Sequence, residues 1–267
     1  MHRYAGSLRG ALALGFVIVF ARQASATTLA VTGILSAATS SNNTLLIVLL
    51  VVGATALCGL VLYADYVRSN KIEAFARSLG VPFRRKPTGS DNALPIGCSL
   101  ENKGRNHIIA NVLEALHTDE LVLTLFDYQY TVGFGRQSQN YNQTIARMQA
   151  PLLKLPYFNL YPETIFAKMG KVFGASDINF SDAPEFSDNY ILRGGDEAAL
   201  RAIFTPALRQ FLEPLQHLSI EGADDVLFLY RWQRRTKPRD LAAAIEQNKR
   251  LLALLFEGQQ SMGQSPG

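Results

Sequence analysis

Residues 121–132 read LVLTLFDYQYTV. The run opens apolar on both faces, at Leu121, Val122, Leu123, Leu125 and Phe126, and closes by alternating Tyr128 and Tyr130 with Gln129 and Thr131. That pattern describes a strand buried on both faces at its start and half-solvated at its end. Asp127 ends the apolar run, and a carboxylate in a half-buried strand needs a partner. Arg136, Arg147 and Arg193 are the candidates, and the group serves either in a structural ion pair or as a ligand-binding carboxylate.

Working outward, residues 108–112 form a strand paired with it across the polar His117-Thr118-Asp119-Glu120. Downstream, the loop GFGRQSQN leads to a strand at 141–148. A further strand at 152–161 contains Pro156, which places it at an edge or a bulge. Pro162 and Glu163 open a short helix to about Phe173, and residues 174–189 read as a loop. Tyr190 begins a brief strand to Leu192. Gly194-Gly195-Asp196 caps a helix bearing Leu200, Ile203, Phe204, Leu208, Phe211 and Leu212, which Pro206 should kink or divide. Ser219-Ile220-Glu221 and residues 226–232 make a closing hairpin turned at Gly222, and a last helix covers 238–256. Strands that do not alternate regularly with helices indicate an α+β domain. The expected fold is a mainly antiparallel sheet with two interior helices and a C-terminal helix, behind a single transmembrane helix. A pleckstrin-homology-like barrel also ends in a helix, but two interior helices match it poorly.

Upstream lies LLIVLLVVGATALCGLVLYA, residues 45–64, without a charge. At roughly 1.5 Å per residue such a helix is about 30 Å long, the thickness of a bilayer's hydrocarbon core. Arg68, Lys71, Arg77, Arg84, Arg85 and Lys86 follow it, so the positive-inside rule places the rest of the chain in the cytoplasm. Arg3 and Arg9, an apolar run at 11–21 and Ala24-Ser25-Ala26 have the three parts of a secretory signal peptide. Residues 1–26 are therefore a signal peptide, or an uncleaved anchor that would add a poorer first span. Residues 27–44 form a short extracytoplasmic segment, 45–64 the span, and 65–93 a basic juxtamembrane helix and linker. The α+β domain covers 94–257. Residues 258–267, GQQSMGQSPG, have little to bury and should be disordered.

The chain carries a net charge of +4, but the excess is local. Residues 87–267 hold about 17 cations against about 20 acids, so the domain itself is mildly acidic. The basic residues beside the span, together with Arg234 and Arg235 near Trp232, suit the anionic membrane surface better than nucleic acid. With Cys58 in the span and Cys98 the domain's single thiol, no intradomain disulfide is possible, which suits a reducing compartment.

Candidate chemistry is sparse. Gly133-Phe134-Gly135-Arg136 could cradle an anion, yet it lacks the third glycine of a dinucleotide fingerprint and leads into a strand instead of a helix. The acids Asp177, Asp182, Glu185 and Asp188 share one loop without the spacing of a calcium loop. His107, His117 and His217 have no metal-binding spacing, and no serine sits in a Gly-x-Ser-x-Gly elbow. No metal, cofactor or catalytic set is expected. A small-ligand pocket between the sheet and the 174–189 loop would use Asp127, Arg136, Asp182, Glu185 and Arg193.

The strings Phe126-Asp127-Tyr128-x-Tyr130, Leu155-Pro156-x-Phe158-x-Leu160-x-Pro162-Glu163, Asp177-Ile178-Asn179-Phe180 and Pro184-Glu185-Phe186-Ser187 carry a resemblance. With Arg193-Gly194-x-Asp196-Glu197 and Arg201-Ala202-Ile203-Phe204, the chain resembles uncharacterised bacterial membrane proteins that place such a domain behind one or two N-terminal spans. The resemblance implies a bacterial origin and supports the domain limits; the family has no assigned activity, so no site residue is carried over. The leading expectation is a non-enzymatic module in the bacterial inner membrane, its cytoplasmic domain binding a protein partner or a lipid headgroup. An enzyme or small-ligand sensor using the pocket above is the alternative. The small-x-x-x-small pairs Ala54/Cys58 and Thr55/Gly59 also allow weak homodimerisation through the span.

Overall fold

The computed structural model describes residues 44–165 and 177–263. The expected signal segment, nearly all of the extracytoplasmic segment and most of the helix expected after Pro162 lie outside the described residues. The chain divides into two units with the boundary between Val67 and Arg68.

Helix α1, Thr44–Leu79, begins in the first unit. Its apolar part is long and hydrophobic enough to cross a membrane, with mean hydropathy 2.6 and none of that window buried against protein. Leu46, Leu49, Leu57 and Leu60 are all more than half exposed. A core helix of a soluble domain would hide such side chains, whereas lipid is an apolar solvent for them.

Among the described residues, the second unit is built on one antiparallel sheet of eight strands. These are β1 Phe83–Arg84, β2 Arg105–His117, β3 Val122–Val132, β4 Gln139–Gln149, β5 Leu155–Pro162, β6 Tyr190–Gly194, β7 Leu218–Asp224 and β8 Val226–Arg231. Their spatial order is β1-β2-β3-β4-β8-β7-β5-β6. Among the described residues the other helices are α2 Pro184–Asn189, α3 Glu197–Ile203, α4 Pro206–Leu212 and α5 Leu241–Gly263, and residues 163–165 are also helical. The expected α+β class and antiparallel sheet are observed. The LVLTLFDYQYTV stretch is β3, paired in unbroken register with β4 from Val122↔Gln149 to Val132↔Gln139.

The two-residue period divides the strands between two cores. Leu123, Leu125, Ala146, Met148, Phe158 and Leu160 face one way and pack with Ile72 and Ala76 of α1, with α3 and α4, and with Leu241, Leu251 and Leu255 of α5. Phe126, Tyr128, Tyr130, Ile145, Tyr161, Phe228 and Tyr230 face the other way, where Cys98 and Leu100 join them. Each fully buried large apolar side chain contributes about 1.5–3 kcal/mol. Pro206 divides the expected helix as anticipated: Asp196 caps α3 by accepting from the Ala199 N–H, and Thr205 caps α4 by accepting from the Leu208 N–H.

The structure corrects several sequence expectations. Gly222 is not the hairpin turn but lies inside β7, where a Cβ would strike the Phe158 ring; the chain turns after Asp224, at φ 51°. The expected linker is ordered, since β1 pairs with β2 and a 3-10 turn follows at Ser90–Ala93. Pro156 occupies a bulge, one of its two expected positions, at the register shift between Leu155 and Phe158; the strand is not an edge, being flanked by β6 and β7. The tail expected to be disordered from Gly258 continues α5 to Gly263, because it has partners. Gln259 accepts from the Lys154 N–H at 2.6 Å and donates to the Leu152 carbonyl at 3.2 Å.

Candidate functional site

Asp127 lies at the middle of β3 with its side chain on the face shared by Leu123 and Leu125, and its residue is 7% exposed. Its partner is none of the three arginines considered from sequence. Arg68, the first residue of the second unit, binds it through two parallel bonds, Nε to Oδ2 at 2.8 Å and Nη2 to Oδ1 at 2.7 Å. Asn111 Nδ2 at 2.9 Å and the Thr144 hydroxyl at 2.7 Å complete the acceptors' needs. A bidentate, charge-assisted pair of this kind is among the stronger polar contacts available to a protein. Arg68, expected at the lipid surface, is thus withdrawn into the domain because a buried carboxylate awaits it.

Arg68 also reaches the segment between β8 and α5. Its Nη1 donates to the Thr236 carbonyl at 2.7 Å, and the Thr236 N–H donates back to the Thr144 hydroxyl at 2.9 Å. The same segment carries Arg234, Arg235 and Lys237, all exposed. Beside it opens a cleft of about 330 Å³. Leu125, Ala146, Leu218 and Leu229 contribute apolar lining; Arg231, Arg234, Arg235 and Lys237 bring positive charge against one acid, Asp240; and Gln247 and Asn248 come from α5. Burial pulls the Arg231 pKa down, Tyr190 opposes this, and the Arg234 guanidinium adds to the depression.

A second buried carboxylate, Glu221 of β7, occupies the opposite face at 3% exposure. It accepts from the Ser99 N–H and Ser99 hydroxyl, each at 2.6 Å, from Tyr161 at 3.0 Å and from Tyr230 at 2.5 Å. Burial, with the Glu221 charge next in weight, pushes the Tyr161 and Tyr230 hydroxyls far above the usual phenol range, and likewise the adjoining Cys98 thiol. Phenols and a thiol held protonated this firmly are hydrogen-bond donors or inert groups, not nucleophiles.

The five residues proposed from sequence for a ligand pocket are not gathered. Asp182 forms a bidentate pair with Arg209 at 2.6 Å, and Arg193 Nε binds Asp177 at 2.5 Å. Asp182 and Glu185 line a shallow concavity with Pro206, Arg209 and Gln210. Arg136 is exposed in the 3-10 turn between β3 and β4, and Asp127 is enclosed around Arg68. Of the residues expected at the membrane surface, Lys71, Arg77, Lys86, Arg234 and Arg235 are exposed. Arg84 instead pairs with Asp91 at 2.6 Å, and Arg85 with Glu73 at 2.7 Å. Among the described residues no His, Cys, Asp and Glu grouping could hold a metal ion.

Arg231, like Arg234, Arg235, Lys237 and Arg239, stands out in the sequence as a cation near Trp232, whereas Asn248 as a cleft residue and Glu221 as a buried acceptor were missed. Strand alternation sets Glu221 on the face opposite Ile220, and in sequence alone that reads as a solvent-facing acid beside a turn.

No family model matches the chain, and no curated protein matches it. A solved structure, that of the mycobacterial trehalose monomycolate transport factor A, TtfA, matches 70% of this chain and 93% of its own, at 10% identity and a TM-score of 0.49.

Proposed function

We propose that the protein is a membrane-tethered, non-enzymatic interaction module of the bacterial inner membrane. Its domain faces the cytoplasm and works at the bilayer surface on a protein partner or a lipid headgroup. One observation supports this above the others: the arginine that follows the apolar stretch is bound to the sheet and to the cationic β8–α5 segment at once. Only residues 65–67 separate Arg68 from the end of the apolar run, about 5 Å of helix. A tether this short confines the domain near the surface, where modest contacts with other membrane components suffice. The dispersal of the carboxylates and arginines expected to form a ligand pocket favours this reading over an enzyme.

The test is affinity recovery of C-terminally tagged full-length protein from native membranes, beside a variant ending after the span. A protein or lipid recovered with the full chain alone supports the module; identical recovery from both sinks it. Orientation has its own check. A C-terminal tag should resist protease in spheroplasts and be cut in inverted vesicles, and the reverse pattern places the domain on the other side.

A further inference from the structure

We propose that the cleft between β8, the β8–α5 segment and α5 binds the phosphate of an anionic phospholipid headgroup. Arg231 and Arg234 are the phosphate-holding cations, and Asn248 is a neutral donor on the opposite wall. This rests on the reading of the chain as membrane-tethered, and names the ligand class at one of its surfaces.

The charge of the cleft is the first argument. Arg231 is half-buried, Arg234 sits beside it with its N–H donating to the Arg231 carbonyl at 3.0 Å, both line the cleft, and among the described residues neither guanidinium is paired with a carboxylate. Two guanidiniums held together without an acid repel one another, and a shared anion removes that repulsion while offering bidentate acceptors. Asp240, the acid on the cleft wall, lies 3.6 Å from Arg239 instead. Asn248 is the second argument. It is 5% exposed and lines the cleft. From that wall its amide group can donate to a phosphate oxygen.

Two further observations choose a lipid over a soluble phosphate or a nucleic acid. The lining combines cations with Leu125, Leu218 and Leu229, a pairing that suits a phosphate joined to a glycerol and acyl stem. The remainder of the domain is mildly acidic, which disfavours a long polyanion.

Full-length protein in a nonionic detergent, titrated calorimetrically with dihexanoyl phosphatidylglycerol, tests the site. Saturable one-to-one binding is expected, weakened about tenfold or more in Arg231→Gln/Arg234→Gln and unchanged in Arg239→Gln, which lies off the cleft. Equal binding of dihexanoyl phosphatidylcholine, or an unchanged affinity in the double variant, overturns the proposal. Inorganic phosphate binding as tightly as the lipid overturns the lipid source. Should the double variant lose its cooperative melt, Asn248→Ala reads the same site, and an affinity equal to wild type overturns it. Absent lipid binding beside intact domain-dependent partner recovery removes this cleft alone and leaves the tethered module standing.

Discussion

Two buried carboxylates sit on opposite faces of one sheet and are satisfied by different means. Asp127 is neutralised by a guanidinium that enters from α1, whereas Glu221 is surrounded by hydroxyls and a backbone N–H. The first solution ties the C-terminal part of α1 to the middle of the sheet. The second ties the Ser99–Asn102 turn over the aromatic face. A charge balanced by a charge is sensitive to loss of either member, while a charge held by several neutral donors loses its support in smaller steps. The polar attachment of α1 at Arg68 therefore depends on one pair, and the closure of the far face on a distributed set.

Removing the guanidinium gives the largest expected effect. Arg68→Met leaves Asp127 buried beside Asn111 and Thr144 alone, and should destabilise the domain by about 3–5 kcal/mol. The Arg68→Met/Asp127→Asn double variant should recover at least half of that, since no unpaired charge remains. Guanidinium unfolding of the full-length protein in detergent reads both. Trp232 is the one tryptophan, and its indole N–H donates to the Tyr130 hydroxyl at 3.1 Å. Equal losses in the single and double variants would mean the pair is not what the site depends on.

Glu221→Gln comes next. The amide keeps one acceptor oxygen but turns a second donor toward groups that already donate, at a cost of about 1–3 kcal/mol. If Glu221→Gln proves as damaging as Arg68→Met, the contrast between the two carboxylates fails.

These two sites also separate what was legible in the sequence from what was not. Strands β3, β4 and β8 show their period locally, because every other side chain answers to the same core. The partners of the carboxylates do not: Asp127 meets Arg68 from 59 residues upstream, and Glu221 meets Ser99 from 122 residues upstream. Arg68 stands in a run of cations, and by composition alone nothing distinguishes it from Lys71 or Arg77. The tail shows the same limit. GQQSMG looks unstructured in isolation because its order comes from Lys154, Leu152 and the Ile203 carbonyl, against which Gly258 packs.

That packing makes Gly258 a test of opposite sign to ordinary helix propensity. In an open helix, glycine to alanine stabilises by about 1 kcal/mol. Here an added Cβ meets the backbone of Ile203, an overpacking cost of about 1–3 kcal/mol. Gly258→Ala should therefore destabilise by about 1 kcal/mol, and a gain in stability would show that α5 does not sit closely on α3.

The smallest effect concerns the segment expected to be a free linker. Asp91 accepts from Arg84 Nε at 2.8 Å and Nη2 at 2.6 Å, and from the Thr88 N–H at 2.8 Å. The Arg84 bonds, opposed by burial and aided by Thr88, lower its pKa to about 2 from an ordinary 3.8. A carboxylate with a depressed folded-state pKa contributes stability above its unfolded value and loses it as the pH falls through the folded one. The contribution of Asp91 is therefore whole above about pH 5 and gone near pH 2. With Arg84 still 30% exposed to water, it should not exceed about 1 kcal/mol. Asp91→Asn should flatten the acid limb of the melting curve between those limits and leave it parallel to wild type above them. A variant that tracks wild type down to pH 2 would mean that the Arg84–Asp91 pair adds nothing to the fold, and that the ordered course of residues 83–93 rests on the β1–β2 pairing alone.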